Sequence, residues 1–172
     1  KGVNVLLRAL NDLPKEERRK IVLEVHGSNL EGQTQAFQDE IGALRKRLEK
    51  DGTLQWIGPY EPFQMESRMA NVDWVVIPSI WWENSPMVIQ EAFTLGRPLV
   101  GSDIGGMAEK ITDGVDGVHV PVGNANAWGR TLLRLAESDS EWERLRDGIT
   151  KPIRYADCAE AHLALIRQTG HA

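Results

Sequence analysis

Two glutamates, Glu83 and Glu91, stand eight positions apart in the run WWENSPMVIQEAFTLGRPLV and bracket the predicted start of a helix. Residues 75–78 have the apolar character of a buried strand end, and a short polar turn follows them. We predict that Ser85 is the N-cap and Pro86 the first helical residue, because proline lacks an N–H and its fixed φ is already helical. A strand that leads directly into such a helix start favours anion binding.

The tip of this helix is the predicted anion site. The N–H groups of Met87 and Val88 have no intrahelical partner, and the positive end of the helix dipole adds to their attraction for an anion. Glu91 lies about 7.5 Å from Pro86 along the helix axis, at 1.5 Å per residue. This offset suits a nucleotide whose diphosphate sits at the helix tip and whose ribose hydroxyls contact Glu91. Glu83 precedes the helix, on the other side of the diphosphate, where the sugar of a nucleotide sugar would lie.

The alternative for both glutamates is chance. Two glutamates at this spacing occur in many chains of this size, and a helical glutamate is usually a solvated surface residue. The segments on either side of Glu91 are mostly apolar, however, which predicts a largely buried helix. A buried carboxylate requires partners, so the pattern favours a ligand-binding role for Glu91.

Further motifs surround the two glutamates between residues 72 and 122. They follow strands or form turns, and in chain order they are Pro78-Ser79, Glu83, Asn84-Ser85-Pro86, Glu91-Ala92, Gly96-Arg97-Pro98-Leu99-Val100, and Gly105-Gly106 followed by Glu109. This order resembles the nucleotide-sugar half of retaining glycosyltransferases of the GT-B fold, specifically glycosyltransferase family 4. Weaker similarity to that family covers most of the remaining chain.

The resemblance implies the function of a donor-binding domain. Such a domain belongs to a retaining hexosyltransferase, which moves a sugar from a nucleoside-diphosphate sugar to a glycan or glycolipid acceptor. It implies that Glu83 is a catalytic residue that orients the sugar hydroxyls and that Glu91 holds the ribose. Same-face attack, assisted by the departing phosphate, would retain the anomeric configuration. Lys1 matches the family's diphosphate-binding lysine and is therefore a catalytic candidate, with an ordinary chain terminus as the alternative.

The same resemblance implies a division of the chain into two parts. Residues 1–151 are expected to form a Rossmann-like donor-binding domain that lacks its first strand and the arginine turn after that strand. Residues 152–172 are expected to form a crossover helix and tail. A missing N-terminal domain would bind the acceptor, so we expect the isolated fragment to bind the donor but to transfer no sugar. Peripheral membrane association of the full-length enzyme is compatible with this interpretation.

Gly27, Gly58 and Tyr60 follow predicted strands closely. Because ligands of parallel sheets bind outside the carboxyl ends of the strands, we expect the two glycines to allow close backbone approach to phosphate and to base, respectively. The packing alternative is that each glycine only forms a strand-end turn. Tyr60 covers a uracil or guanine base in one interpretation and is a partly exposed loop tyrosine in the other.

The order of the predicted elements indicates an α/β protein. Helices and strands alternate without repeats or low-complexity linkers, which predicts a Rossmann-like parallel sheet with helices on both faces. The predicted strands are 21–26, 54–57, 74–78, 99–101 and 118–122. The predicted helices are 2–12, 33–49, 62–70, 86–95, 106–111, 124–136 and 140–148, and helical spacing recurs over 152–167.

Composition excludes several function classes. The chain has 172 residues and a net charge of −5 with acidic and basic residues interspersed, so we expect no nucleic-acid partner. The single cysteine, Cys158, excludes a disulfide framework and a multi-cysteine metal site. The four histidines show no metal-ligand spacing. We therefore expect no cofactor and no metal. The resemblance implies a UDP-sugar or a GDP-sugar as the donor substrate.

The expected location is the cytoplasm. We find neither a secretory signal nor an apolar run long enough to span a bilayer, and a single cysteine fits a reducing compartment. In the full-length enzyme the location would extend to the inner face of the membrane.

Two other functions fit the same residues. One is a nucleotide-sugar-binding module without catalysis, and the other is a sugar-nucleotide epimerase of the GT-B architecture. Sugar transfer by the full-length protein would distinguish catalysis from binding alone. An epimerase would instead interconvert free donor sugars in the absence of an acceptor.

Overall fold

The computed structural model of the chain describes residues 2–27, 30–153 and 155–169, so the predicted role of Lys1 lies outside the described residues. Helices and strands alternate along this part of the chain. The strands are β1 (Leu23–His26), β2 (Leu54–Gly58), β3 (Val75–Ile77), β4 (Leu99–Ser102) and β5 (Gly117–Val120). The helices are α1 (Val3–Asp12), α2 (Lys15–Arg18), α3 (Gln35–Lys50), α4 (Met65–Met69), α5 (Met87–Thr94), α6 (Gly105–Lys110), α7 (Ala125–Ala136), α8 (Asp139–Asp147) and α9 (Tyr155–Thr169), with a 3₁₀ turn over Pro62–Gln64 before α4.

The described strands form two parallel sheets, β1–β2 and β3–β4–β5. In the second sheet Val75 pairs with Leu99 and Leu99 pairs with Gly117, so the three strands end at the same edge. In the first sheet Val25 pairs with Trp56 and His26 pairs with Gly58, so the register shifts between these two pairs. The predicted α/β class is confirmed, although the strands belong to two sheets where we predicted one.

Helices cover both faces of the second sheet. Consecutive residues of a strand point to opposite faces, and the first two residues of β4 belong to different apolar clusters. Val100 packs in one cluster with Trp128 of α7 and the apolar stripe of α1. Leu99 packs in the other cluster with Ile89 of α5 and Met107 of α6. Because helices cover both faces of the second sheet, a ligand would approach it at the carboxyl ends of the strands.

Most predicted boundaries differ from the structure by one or two residues. α2 was not predicted, because a helix of four residues is too short to show periodicity. The helix predicted over 62–70 is a 3₁₀ turn followed by α4, and Glu61 and Gln64 close a capping box around that turn. A helix over the predicted C-terminal segment is present as α9. None of the described helices is both long and apolar enough to cross a membrane.

A groove separates the two sheets. In the described chain β1 pairs only with β2, and β3 only with β4, so each strand has one unpaired edge. Both strands line a cavity of about 1120 Å³, with residues 23–27 on one side and 74–76 with Pro78 on the other. Leu6 of α1 and Leu132 of α7 contribute to its wall. The residues of β3 are only half-buried, whereas those of β4 are fully buried, as expected for a strand beside an open space. We call this space the interstrand groove.

Candidate functional site

The helix that carries Glu91 begins one residue later than predicted. Pro86 is the N-cap, with φ −62° and ψ 117°, and α5 begins at Met87. The predictions of Ser85 as N-cap and Pro86 as first helical residue are therefore wrong. The proline ring fixes φ, which suits helix and extended backbone alike, and here the extended ψ places Pro86 outside the helix. Among the described residues no side chain caps α5, and Ser85 is exposed.

The tip of α5 keeps the properties expected of an anion site. The N–H groups of Met87 and Val88 precede the first bond of the helix, in which Ile89 N–H donates to the Pro86 carbonyl at 3.2 Å. Glu91 then lies about 6 Å from Met87 along the axis. Its side chain is half-buried and makes no hydrogen bond or ion pair within the described part of the chain. The carboxylate thus keeps its hydrogen-bonding capacity within the described structure.

The carboxylate of Glu83 is held by two donors from its own loop. Ser79 Oγ donates to Glu83 Oε1 at 3.2 Å, and Trp81 Nε1 donates to the same oxygen at 3.0 Å. Ser79 follows β3 and is 1% exposed, so its hydroxyl has almost no access to water. Glu83 itself is half-buried. The side chain is consequently anchored between the end of β3 and the start of α5.

The backbone of Glu83 is held by the glycine pair at the start of α6. Gly106 N–H donates to the Glu83 carbonyl at 2.7 Å. A Cβ on Gly106 would lie 2.4 Å from Asn84 O, and a Cβ on Gly105 would lie 2.9 Å from Glu83 O. Gly105 also has φ 52°, which favours glycine. Only glycines allow α6 to approach this loop so closely, and this gives the Gly-Gly motif a physical role.

Gly27, Gly58 and Tyr60 come together at the carboxyl ends of β1 and β2. Gly27 N–H donates to the Gly58 carbonyl at 2.8 Å, and their φ values are 72° and 83°. The left-handed backbone by itself accounts for glycine at both positions, as the packing alternative states. A Cβ on Gly27 would lie 3.5 Å from the Tyr60 ring, so the ring lies against this turn. Close approach to phosphate and base stays a prediction.

Arg68 and His26 flank Tyr60, and Glu24 binds His26. The Arg68 guanidinium lies 5.6 Å from the ring centroid, and the His26 ring meets Tyr60 edge-on at 6.2 Å. Arg68 Nη1 is 3.3 Å from His26 Nδ1, and His26 Nε2 is 3.0 Å from Glu24 Oε2. Because arginine can only donate, His26 Nδ1 accepts and Nε2 carries the proton given to Glu24. Arg68, His26 and the Gly27 turn thus lie against the Tyr60 ring, and stacking of this ring on a base stays a prediction.

The structure places the predicted residues in two groups. Gly27, Tyr60 and Val88 line the interstrand groove, whereas Glu83 and Glu91 do not. Val88 belongs to the first turn of α5, so the groove reaches the tip of this helix although neither carboxylate lines it. Among the described residues, no group of three or more His, Cys, Asp or Glu side chains is arranged to hold a metal ion.

The sequence did not indicate which residues hold Glu83 and surround Tyr60. Ser79 was recognised only as part of a strand-end motif, and its bond to Glu83 depends on the loop conformation. Arg68 is 42 positions from His26, so no local spacing rule connects them. Strand-end polar residues were the available signal, and they point to the edge of the sheet but not to specific pairs.

Together, the parallel strands, the helices on both faces and the helix tip between two carboxylates define an α/β domain like the C-terminal half of GT-B glycosyltransferases. The family model described as glycosyl transferases group 1 matches residues 1–151, and the chain belongs to this family. A D-inositol 3-phosphate glycosyltransferase of Xylanimonas cellulosilytica is 30% identical over 166 residues, which cover 96% of this chain and 38% of that protein. The chain spans about a third of the length of such relatives.

Solved structures share the fold. The structure of Anabaena Alr3699/HepE in complex with UDP-glucose superimposes with a TM-score of 0.73 and 23% identity, covering 87% of this chain and 39% of that chain. Sucrose-phosphate synthase from Thermosynechococcus elongatus gives a TM-score of 0.74 and 21% identity, covering 99% of this chain and 43% of that chain. At these identities the two structures establish the fold alone.

Proposed function

We propose that this chain is the donor-binding domain of a retaining hexosyltransferase of glycosyltransferase family 4. The complete enzyme transfers a sugar from a nucleoside-diphosphate sugar to a glycan or glycolipid acceptor in the cytoplasm. The arrangement around α5 carries the proposal: Glu83 is held before the helix tip, and Glu91 lies one turn after it without a partner in the described chain. Two carboxylates on either side of an anion site match a ligand with hydroxyls on either side of a diphosphate.

The residues of α5 act on the leaving nucleotide. The N–H groups of Met87 and Val88 donate to the diphosphate and stabilise the charge that develops as the sugar departs. Glu91 accepts hydrogen bonds from the ribose hydroxyls and fixes the nucleotide along the helix. Lys1 adds a point charge beside the diphosphate. These groups neutralise the leaving diphosphate without a divalent ion.

Glu83 acts on the transferred sugar. Its carboxylate accepts hydrogen bonds from sugar hydroxyls and so orients the anomeric carbon. The acceptor then attacks from the face that the diphosphate leaves, with the departing phosphate accepting the proton of the attacking hydroxyl. Configuration is retained in this geometry without a covalent enzyme intermediate.

The donor is a UDP-sugar or a GDP-sugar. Support for the UDP-sugar comes from the Anabaena structure, which contains UDP-glucose in a protein of the same fold. At 23% sequence identity the base does not carry over from that protein to this chain, and the nucleotide panel described below determines it. In this proposal Tyr60, which follows β2 and contacts Arg68, covers the base of the donor with its ring.

The interstrand groove is the place for the first strand of the domain, supplied by the longer protein. A parallel strand in the groove would pair with the free edges of β1 and β3, and its connection through α1 to β1 would form a right-handed crossover. Gly2, which precedes α1, lies against the Pro78 carbonyl just after β3, because its Cβ would be only 1.9 Å from Pro78 O. That is the edge at which a parallel strand in the groove would end. An N-terminally extended protein should therefore show slower amide exchange in β1 and β3, and unchanged exchange would contradict this assignment.

A thermal-shift panel with UDP, GDP and ADP tests the proposed function. A ligand at 100 times its dissociation constant stabilises the folded state by about 2.7 kcal/mol, which raises Tm by about 5–10 °C for a chain of this size. We expect UDP or GDP to give this shift and ADP to give less. No shift with any nucleoside diphosphate would contradict the proposal. Sugar transfer by the full-length protein separates the enzyme from a binding module, and interconversion of free donor sugars would indicate an epimerase.

A further inference from the structure

We infer that Ser79 and Trp81 are positioning residues, which hold Glu83 in the orientation that binds the donor sugar. The inference rests on the proposed function, because it assigns Glu83 to the sugar. It goes further by naming the two side chains on which the affinity for the sugar, as distinct from the nucleotide, depends.

Both donors meet the same oxygen of Glu83. Trp81 Nε1 donates to Oε1 at 3.0 Å, the usual length for an N–H donor, and Ser79 Oγ donates to it at 3.2 Å, which is long for a hydroxyl donor. Bonds to an ionised acceptor are stronger than those between neutral groups, so the pair fixes the side-chain torsions of Glu83. Ser79 is almost fully buried, and its hydroxyl would lose its hydrogen bond if Glu83 turned away.

The loop around Glu83 needs such anchors. Glu83 lies between β3 and α5, in a segment without regular secondary structure, and connecting segments are generally more mobile than the elements they join. The bond from Gly106 N–H fixes only the backbone at this position. Ser79 and Trp81 fix the carboxylate itself, which reduces the ordering cost when sugar hydroxyls bind.

The two ends of the donor depend on different residues. The diphosphate and ribose are assigned to the tip of α5 and to Glu91, and neither the Ser79 nor the Trp81 side chain makes a hydrogen bond to these groups in the described structure. Loss of either positioning bond should therefore weaken binding of the nucleoside-diphosphate sugar but leave binding of the nucleoside diphosphate unchanged. The measured quantity is the affinity ratio, which is the affinity for the nucleoside-diphosphate sugar divided by the affinity for the nucleoside diphosphate. A general loss of folding would lower both affinities together.

Trp82 provides a matched control. It is adjacent to Trp81, is 78% exposed, and makes no hydrogen bond within the described chain. Trp81→Phe and Trp82→Phe each remove one indole N–H and retain an aromatic ring. Only the first removes a donor to Glu83.

Calorimetry on the 172-residue chain tests the inference by measuring the affinity for a nucleoside diphosphate and for its sugar conjugate. Three such pairs are compared: UDP with UDP-glucose, UDP with UDP-N-acetylglucosamine, and GDP with GDP-mannose. The affinities for the pair that binds the wild type most tightly are then measured in five variants: Ser79→Ala, Trp81→Phe, their combination, Trp82→Phe and Glu83→Ala. We expect the affinity ratio to fall about threefold in each single positioning variant and about tenfold in their combination and in Glu83→Ala. Trp82→Phe should match the wild type.

Each result decides the inference. An unchanged ratio in the Ser79 and Trp81 variants, with a reduced ratio in Glu83→Ala, would overturn the inference and leave the proposed function intact. An unchanged ratio in Glu83→Ala would overturn the inference together with the sugar assignment of Glu83. If no nucleoside diphosphate binds the wild type, the proposed function is wrong and the inference falls with it.

Nuclear magnetic resonance provides a second test that needs no ligand. The indole N–H resonance of Trp81, assigned from its absence in Trp81→Phe, should move in Glu83→Ala because its acceptor is lost. The indole resonance of Trp82 should stay in place. A Trp81 resonance that is insensitive to Glu83→Ala would show that the bond is absent in solution and would overturn the inference.

Discussion

Replacement of Gly106 by alanine should destabilise the protein, although alanine is the better helix former. Gly106 lies in α6, and the new Cβ would be 2.4 Å from Asn84 O and 2.9 Å from Glu83 O. Both contacts are with backbone atoms, which cannot rotate away as a flexible side chain can. The substitution must push α6 from the loop and disrupt the 2.7 Å bond from Gly106 N–H to the Glu83 carbonyl.

The expected magnitude follows from three opposing effects. Overpacking costs about 1–3 kcal/mol, and loss of the backbone hydrogen bond costs about 1 kcal/mol. Replacing a helical glycine by alanine by itself stabilises the helix by about 0.5–1 kcal/mol. The free energy of unfolding should therefore fall by about 2 kcal/mol, and Tm by about 4–8 °C for a chain of this length.

Urea unfolding of Gly106→Ala and Gly42→Ala measures this effect with a matched control. Gly42 lies within α3, and a Cβ at that position would meet nothing within 4 Å. Gly42→Ala should raise the free energy of unfolding by about 0.5–1 kcal/mol, through the helix propensity alone. If Gly106→Ala is as stable as the wild type, or is stabilised as Gly42→Ala is, the close approach of α6 to the Glu83 loop is refuted.

Three other predictions concern pH, metals and turnover. The hydrogen bond from Arg18 lowers the pKa of Asp51, so this pair stabilises the fold above about pH 4 and its contribution is lost as pH falls through the lowered pKa. Asp51→Asn should thus be less stable than the wild type at pH 7 but decline less in acid unfolding, and identical pH profiles would count against the pair. Donor binding, measured by calorimetry, should be the same in EDTA and in magnesium; a loss in EDTA that magnesium restores would show that a metal takes part. The 172-residue chain alone should bind donor without transferring sugar, and labelled product above the blank in a radiolabelled-donor assay would show that no second domain is needed.

The elements of the fold could be predicted because their signals are local. Apolar periodicity and turn residues located the five strands and the longer helices to within a few residues. The number of sheets could not be predicted in this way, because strand pairing depends on contacts between distant segments. The start of α5 was misplaced by one residue for a different reason: the φ of Pro86 fits both a helix and an extended N-cap, and only ψ distinguishes them.

The candidate site shows the same division between local and distant information. The positions of Glu83 and Glu91 on either side of a helix start follow from the sequence. The partners of Glu83 do not, because Gly106 is 23 positions away and Trp81 reaches the carboxylate only through the shape of the loop. Arg68 beside Tyr60 likewise depends on how α4 packs against the end of β1.

Calorimetry with UDP and GDP on the wild type and on Glu91→Ala tests the central claim, that a nucleoside diphosphate binds along α5 with its ribose at Glu91. Glu160→Ala is the control, because Glu160 is an exposed glutamate on α9. Loss of hydrogen bonds between ribose hydroxyls and a carboxylate should weaken nucleotide binding about ten- to hundredfold in Glu91→Ala, with no change in Glu160→Ala. Equal affinities for the wild type and a correctly folded Glu91→Ala would contradict the claim.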